Sequence, residues 1–299
     1  MISTTTNTIS KFDAWVLASR PRTLLAAVVP VIVGSSIAVH DAKFDAVAAT
    51  FALFCSIFIQ IGTNFANDLF DFLHGTDKHD RLGPQRAVAS GLITITEMKV
   101  GTALTFGLSF ILGLYLVYSG GWIVLLIGVI SIAAGIAYTA GPLPLAYNGL
   151  GDVAAFLFFG LVGTVGTYYV QAHEFTWMSL WASIPVGSLI TNILVINNYR
   201  DREEDRSNGK NTLAVIFGEK FTRAQYVIFM ILSYSILFVV YFTFKKNFLV
   251  FLPMLCIPLS IKLIRMIYTL RGKELNKTLE LTAKLSALYG LLFAIGIII

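Results

Sequence analysis

Residues 46–81 read AVAATFALFCSIFIQIGTNFANDLFDFLHGTDKHDR, and this stretch decides how the chain is built. Its first part, 46–66, is apolar for long enough to cross a bilayer, which takes roughly 20 residues. It then turns acidic without a break. Asn64, Asp68 and Asp71 recur at i, i+4 and i+7, so on a helix they share one face, with Asn67 beside them and Gln60 a turn deeper. Residues 177–210, WMSLWASIPVGSLITNILVINNYRDREEDRSNGK, follow the same plan. There an apolar run ends in Asn197, Asp201 and Asp205, again on one face of a helix, and both segments carry the pattern Asn-x-x-x-Asp. Positions 64–81 and 197–210 together hold eight of the chain's 17 acidic residues.

Carboxylates at this density beside a membrane are costly unless positive charge lies between them. A divalent cation carrying a phosphorylated substrate meets that need, because Mg²⁺ takes carboxylates, phosphate oxygens and water as ligands. Arg86 lies just downstream of the first cluster, Lys210 ends the second, and Arg20 and Arg22 sit at the start of the first apolar run; all are suited to phosphate oxygens. A solvated, Asp-rich loop is the competing explanation for the first cluster. It leaves unexplained the amides of Gln60, Asn64 and Asn67, one or two turns inside the bilayer. Glu203 and Glu204 point off the shared face and read as solvated or paired with Arg200 and Arg206. Asp152, at the start of an apolar run, reads as a helix cap.

The composition agrees. The 299 residues are 56% hydrophobic and 13% charged, with a mean hydropathy of +0.76, whereas soluble domains carry about 25% charged residues. Unbroken apolar runs fit helices rather than barrel strands, which would alternate. The fold class is therefore an all-α integral membrane protein. Nine stretches qualify as spans: 23–39, 46–66, 98–118, 122–139, 153–170, 177–196, 224–244, 248–264 and 279–299. With the N-terminus inside, every one of the 22 basic residues except Lys43, Lys245 and Lys246 falls on the cytoplasmic side. The polar N-terminal segment does not resemble a cleaved signal. The net charge of +5 then reflects topology, and nucleic acid is excluded as a partner. Cys55 and Cys256 sit in apolar runs and read as packing residues. The acidic clusters follow the second and sixth spans, which suggests two four-helix half-repeats plus one helix. The whole chain, 1–299, is expected to form one domain, with cap loops at about 68–97 and 198–223 over a cytoplasmic mouth. Tyr138, Tyr147 and Tyr199 lie at the same level, where an aromatic face can stabilise a cation.

These motifs resemble those of the membrane-bound aromatic prenyltransferases of quinone biosynthesis. Asn67, Asp68 and Asp71 match the first part of that family's Asn-Asp-x-x-Asp-x-x-x-Asp, and Asp201 and Asp205 match its Asp-x-x-x-Asp. The resemblance covers nearly the whole chain. The fourth place of the first motif is Gly75, so Asp77 is expected to take its role. The stretches RPRTL at 20–24, GTDKHDRLGPQRAVASG at 75–91 and LNKTLELTAKLSALYGLLFAIG at 275–296 are similar to the menaquinone branch, which prenylates 1,4-dihydroxy-2-naphthoate. The resemblance implies transfer of a prenyl group from polyprenyl diphosphate to an aromatic acid, with loss of CO₂ and diphosphate, in a bacterial inner membrane. It implies Mg²⁺ as cofactor, held by Asp68, Asp71, Asp77, Asp201 and Asp205. Asn64, Asn67 and Asn197 would support the metal site, and Arg22, Arg86 and Lys210 would bind the diphosphate or the naphthoate carboxylate. Prenyltransferases for 4-hydroxybenzoate or homogentisate, a haem-farnesylating relative, and a transporter remain as alternatives from the residues alone.

Overall fold

The computed structural model describes residues 9–76 and 82–299. The apolar runs become helices: α1 (Lys11–Ser19), α2 (Pro21–His40), α3 (Ala46–Leu73), α4 (Ile95–Gly120) and α5 (Trp122–Ala137). They are followed by α6 (Gly151–Ala172), α7 (Trp177–Ser207), α8 (Leu213–Phe244), α9 (Phe248–Thr269) and α10 (Gly272–Ile298). Among the described residues no β-strand forms. Eight helices, α2–α4 and α6–α10, are long and apolar enough to cross a membrane. The stretch expected at 122–139 gives α5, which is apolar but only 16 residues long.

Two differences from the expected boundaries matter for the site. α3 runs past residue 66 to Leu73, and α7 runs past 196 to Ser207, so all four motif aspartates stand on helix rather than in cap loops. The expected cap 198–223 is mostly helical, since α8 already starts at Leu213, with a break at Gly218 (φ 79°). Hydropathy marks where a helix leaves the apolar layer, not where it ends, and the i, i+4 spacing of the acids is itself compatible with helix. The connection that remains, 208–212, is held down. Asn208 Nδ2 donates to the Thr76 carbonyl (3.1 Å) and the Asn211 amide to the Tyr147 carbonyl (3.0 Å).

Each motif-bearing helix pairs extensively with its successor, α3 with α4 and α7 with α8. α2 runs through the middle against α3, α6, α7 and α10, and α10 packs against α2, α7 and α9. The short helix α1 lies across the acidic end. Its Ala14 and Ala18 bury against Phe65, Leu69 and Met98, while Phe12 stays exposed. At the other end, Tyr168 donates its hydroxyl to Asp41 (2.8 Å), and Lys43 pairs with Glu174 (2.7 Å), holding that carboxyl below its usual range.

Between lipid-solvated helices the hydrophobic effect gives little attraction, so close contact depends on small residues. α6 changes to π-helix over Phe156–Val162, and there it meets α7. A methyl group added to Gly160 would lie 2.8 Å from the Cα of Gly187 and 3.0 Å from the Ser183 carbonyl oxygen. Those are backbone atoms, which cannot swing away. Gly160→Val is therefore expected to lower stability by about 1–3 kcal/mol or more, read as a lower thermal midpoint in detergent. Gly166→Ala, on the same helix with open space around it, should leave the midpoint within error.

Candidate active site

The site begins where α1 turns into α2. Arg20 occupies the left-handed region (φ 52°), followed by Pro21 at the first position of α2, where a missing N–H costs nothing. Asn64 secures this turn: its Nδ2 donates to the Ser19 carbonyl (2.9 Å) and to Thr23 Oγ1 (3.3 Å). Its amide nitrogen is thus used in holding the turn that brings Arg20 to the cavity. Arg22 lies at the rim, mostly exposed, 3.5 Å from Glu280 of α10.

The carboxylates of the first motif are buried, Asp68 at 2% and Asp71 at 3% exposure. Asp68 accepts the amides of Ala87 and Val88, one on each oxygen (2.9 and 3.0 Å), so the segment after residue 81 folds back onto α3. Asp71 accepts Arg86 Nη2 on one oxygen and the Tyr147 hydroxyl on the other, both at 2.9 Å. Asn67 Oδ1 accepts the Thr139 hydroxyl (2.9 Å). Asp77 lies outside the described residues.

The second motif is built around an arginine that the sequence reading had assigned to surface pairing. Arg200, with 1% of its side chain exposed, grips the adjacent Asp201 through two bonds of 2.6 and 2.7 Å. It also donates to Asn197 Oδ1 (2.9 Å) and Asn276 Oδ1 (2.7 Å). Asn276 in turn donates to the Leu82 carbonyl (3.0 Å), tying α10 and the first loop to the second motif. Gly83 leaves the space Arg200 needs, for a methyl there would fall 2.7 Å from Nη2. The signal in the sequence was LNK at 275–277, which marked α10 without saying what Asn276 does. Lys210 stands 4.0 Å from Asp205 and over the Tyr147 ring at 5.4 Å. Glu203 pairs with Arg202 and Arg206 at the exposed surface.

Asp68 and Asp71 line a cavity of about 1,000 Å³, which the second motif borders through Asn197, Arg200 and Lys210, while Asp201 and Asp205 stand behind these residues and are not part of the lining. Asp205 lies within electrostatic reach of both Asp201 and Asp71, and Tyr138 within reach of Asp71, Asp152 and Asp205. Asn64, Asn67, Asp68, Asp71, Arg20, Arg22, Arg86, Asn197, Asn198, Arg200, Lys210 and Tyr138 all line this cavity at its polar end. The rest of the wall is mostly apolar, including Phe158, Phe159, Val124 and Val170, with a few hydroxyl side chains among them. Tyr147 is a partner of Asp71 rather than part of the lining. Tyr199 faces elsewhere. Its ring packs under Arg223 (5.7 Å) and Arg271 (5.9 Å), away from the cavity, because it falls on the opposite side of α7 from Asn197 and Asn198.

A helical membrane bundle with paired carboxylates and cations at one end of a long apolar cavity is suited to an amphiphile with an anionic head. The chain belongs to the UbiA prenyltransferase family, whose pattern matches residues 27–288. It is 37% identical to a 1,4-dihydroxy-2-naphthoate octaprenyltransferase of Escherichia coli, over 97% of this chain and 96% of that one. A 1,4-dihydroxy-2-naphthoate octaprenyltransferase of Haemophilus influenzae is 33% identical, over 97% of both. The fold is similar to that of a UbiA homologue from Archaeoglobus fulgidus bound to GPP and Mg²⁺, with a TM-score of 0.68, 16% identity, and coverage of 95% and 99%.

Breaking a buried ion pair by removing one partner costs about 3–5 kcal/mol, whereas removing both is often near neutral. Arg200→Met should therefore lower the thermal midpoint of the detergent-solubilised protein sharply. Arg200→Met combined with Asp201→Asn should recover a good part of the loss. A double variant no more stable than the single one would show that Asp201 is not what Arg200 neutralises.

Proposed function

We propose that the chain transfers a polyprenyl group from polyprenyl diphosphate to 1,4-dihydroxy-2-naphthoate, releasing CO₂ and diphosphate and giving demethylmenaquinone. The observation that carries this reading is a large, mostly apolar cavity lined at one end by Asp68 and Asp71 and bordered there by Arg200 and Lys210, the partners of Asp201 and Asp205. Support also comes from naphthoate prenyltransferases at 37% and 33% identity over nearly the full length. The chain acts as one domain, 1–299, of nine membrane helices in two four-helix half-repeats plus α10. Its N-terminus and acidic end face the cytoplasm, as the distribution of Lys and Arg requires.

The donor set suits Mg²⁺. All the motif groups offer hard oxygen ligands, and among the described residues no three Asp, Glu, His or Cys side chains form a ready-made cage. Mg²⁺ needs no such cage, since it is usually bound by one or two carboxylates and completed by water and substrate phosphate. Asp68 and Asp71 on one side, and Asp201 and Asp205 on the other, would hold it, with Asn67 and Asn197 beside them. When bound, the metal supplies positive charge to the departing diphosphate. Arg22, Arg86 and Lys210 donate to the phosphate oxygens. The apolar wall beyond Tyr138 takes the tail and keeps water from the allylic carbon. The Tyr138 ring offers its face to the positive charge that develops there.

Product is best followed by mass spectrometry with purified protein, geranylgeranyl diphosphate and dihydroxynaphthoate. Chelation of divalent cations should abolish prenyl transfer, and Mg²⁺ should restore it. Asp68→Asn and Asp201→Asn should each lower kcat by about 10²-fold or more, as removal of a group stabilising transition-state charge does. Near-normal turnover in either variant would overturn the assignment of that motif.

A further inference from the structure

One group at this site has no part in the chemistry above. Asp152, in the first turn of α6, is 5% exposed, and no cation pairs with it among the described residues. Nor does it cap its helix, as the sequence suggested, for α6 has no side-chain cap. Its two oxygens accept instead from neutral amides: Asn198 Nδ2 at 3.0 Å and Gln225 Nε2 at 2.9 Å. A carboxylate held this way in a membrane bundle is costly and calls for a function.

Its effect on Asn198 is specific. An Asn amide presents two donors on one side and an acceptor on the other, and which way it faces depends on its partners. A carboxylate only accepts, so Asp152 draws the NH₂ toward itself and turns the carbonyl oxygen away. Asn198 lines the cavity, as Tyr138 does, and its Oδ1 makes no hydrogen bond among the described residues. It stands three residues before Asp201 on α7, about 4.5 Å deeper along the axis. An acceptor fixed at that depth waits for a donor. A polyprenyl tail carries none, and neither a diphosphate nor a ring carboxylate has one at neutral pH. The only donor on either substrate is a hydroxyl of the aromatic ring.

We propose that Asn198 Oδ1 accepts a hydrogen bond from one ring hydroxyl of the aromatic acceptor. Asp152, with Gln225, is the positioning residue that keeps Asn198 facing that way. This rests on the prenyl-transfer reading and adds the determinant that fixes which edge of the ring enters first. Asn198 is the binding residue, while Asp152 acts only through it.

The test uses the full-length protein in detergent, with Mg²⁺ and geranylgeranyl diphosphate. The two mono-O-methyl ethers of 1,4-dihydroxy-2-naphthoate serve as competitive inhibitors, so that ring reactivity does not enter. The wild type should bind one ether about tenfold more weakly than the other, the effect of one lost hydrogen bond. Asn198→Ala should raise the KM for dihydroxynaphthoate about tenfold, leave the KM for geranylgeranyl diphosphate unchanged, and bind both ethers alike. Asp152→Asn frees the amide to flip and should shift the same parameters in the same direction, though it does not touch the ring. Equal binding of the two ethers by the wild type, or an unchanged acceptor KM in Asn198→Ala, would overturn the proposal. If Asn198→Ala does not fold, the wild-type ether comparison and Asp152→Asn decide. Absence of any prenylated naphthoate from the wild type would be a different failure, that of the prenyl-transfer reading itself.

Discussion

Four carboxylates buried at one end of an apolar bundle set the terms for everything around them. Asp68, Asp71, Asp201 and Asp205 are each at most 9% exposed, and an uncompensated buried charge is worth several kcal/mol of destabilisation. Each is met by a different device. Asp68 takes two backbone amides, Asp71 an arginine and a tyrosine hydroxyl, Asp201 a two-pronged arginine, and Asp205 a lysine. None of these partners except Arg200 comes from the helix that carries the acid. The segment after residue 81 and the connection 208–212 must therefore fold back over the helix ends. The cap has its shape because the acids need partners, and those partners reside in the loops.

The same constraint explains how the two halves are joined. Arg200 cannot satisfy all its donors on Asp201 alone, and its remaining nitrogens reach Asn197 and Asn276. Asn276 passes the link to the Leu82 carbonyl. One guanidinium thus ties α7 to α10 and to the loop that also supplies Ala87 and Val88 to Asp68. Because Arg presents a rigid fork of five donors, lysine would not replace it there. The two motifs are not merely opposite one another. They share a hydrogen-bonded frame, so a shift of one is felt by the other.

Much of this was legible in the residues. Uninterrupted apolar runs, followed without a break by i, i+4 acids, imply helices whose acidic face points into the bundle, and the structure places Asp68, Asp71, Asn67 and Asn197 accordingly. The places where the reading fell short have physical reasons. The acids of the first motif are expected on a helix that ends near Gly75, and α3 does run on to Leu73, but α7 continues through the expected cap to Ser207 because neutralised charges are no obstacle to helix. Arg200 looked like a surface residue among Glu203, Glu204 and Arg206. Its burial depends on Asn276 and Gly83, both distant in sequence, and no local pattern announces such a meeting. Tyr199 was grouped with Tyr138 by depth alone, and depth does not say which side of a helix a ring takes. Asn64, expected beside the metal, has a second task that no local pattern announces, for its amide nitrogen fastens the turn at Arg20.

The cavity wall combines charged, neutral polar and apolar groups. Exposed Arg22 stands at the rim, with the paired acids and cations, the neutral amides of Asn67 and Asn198 and the Tyr138 ring also in the wall, and the rest of the lining is mostly apolar with a few hydroxyls such as Ser56, Ser109 and Thr167. A substrate pair with an ionic head, a hydroxylated ring and a hydrocarbon tail has the same three kinds of surface. Charged groups in the apolar part would have to be desolvated without partners, and apolar groups in place of the cations would leave phosphate unmatched. Only the neutral polar part of the wall has a choice of chemistry, since such groups can be buried at modest cost if each finds one partner. Asp152 is the exception: a carboxyl placed behind the wall rather than in it, where it accepts from the Asn198 amide. In the reading proposed above, discrimination among aromatic acceptors belongs to that neutral polar part rather than to the acidic motifs.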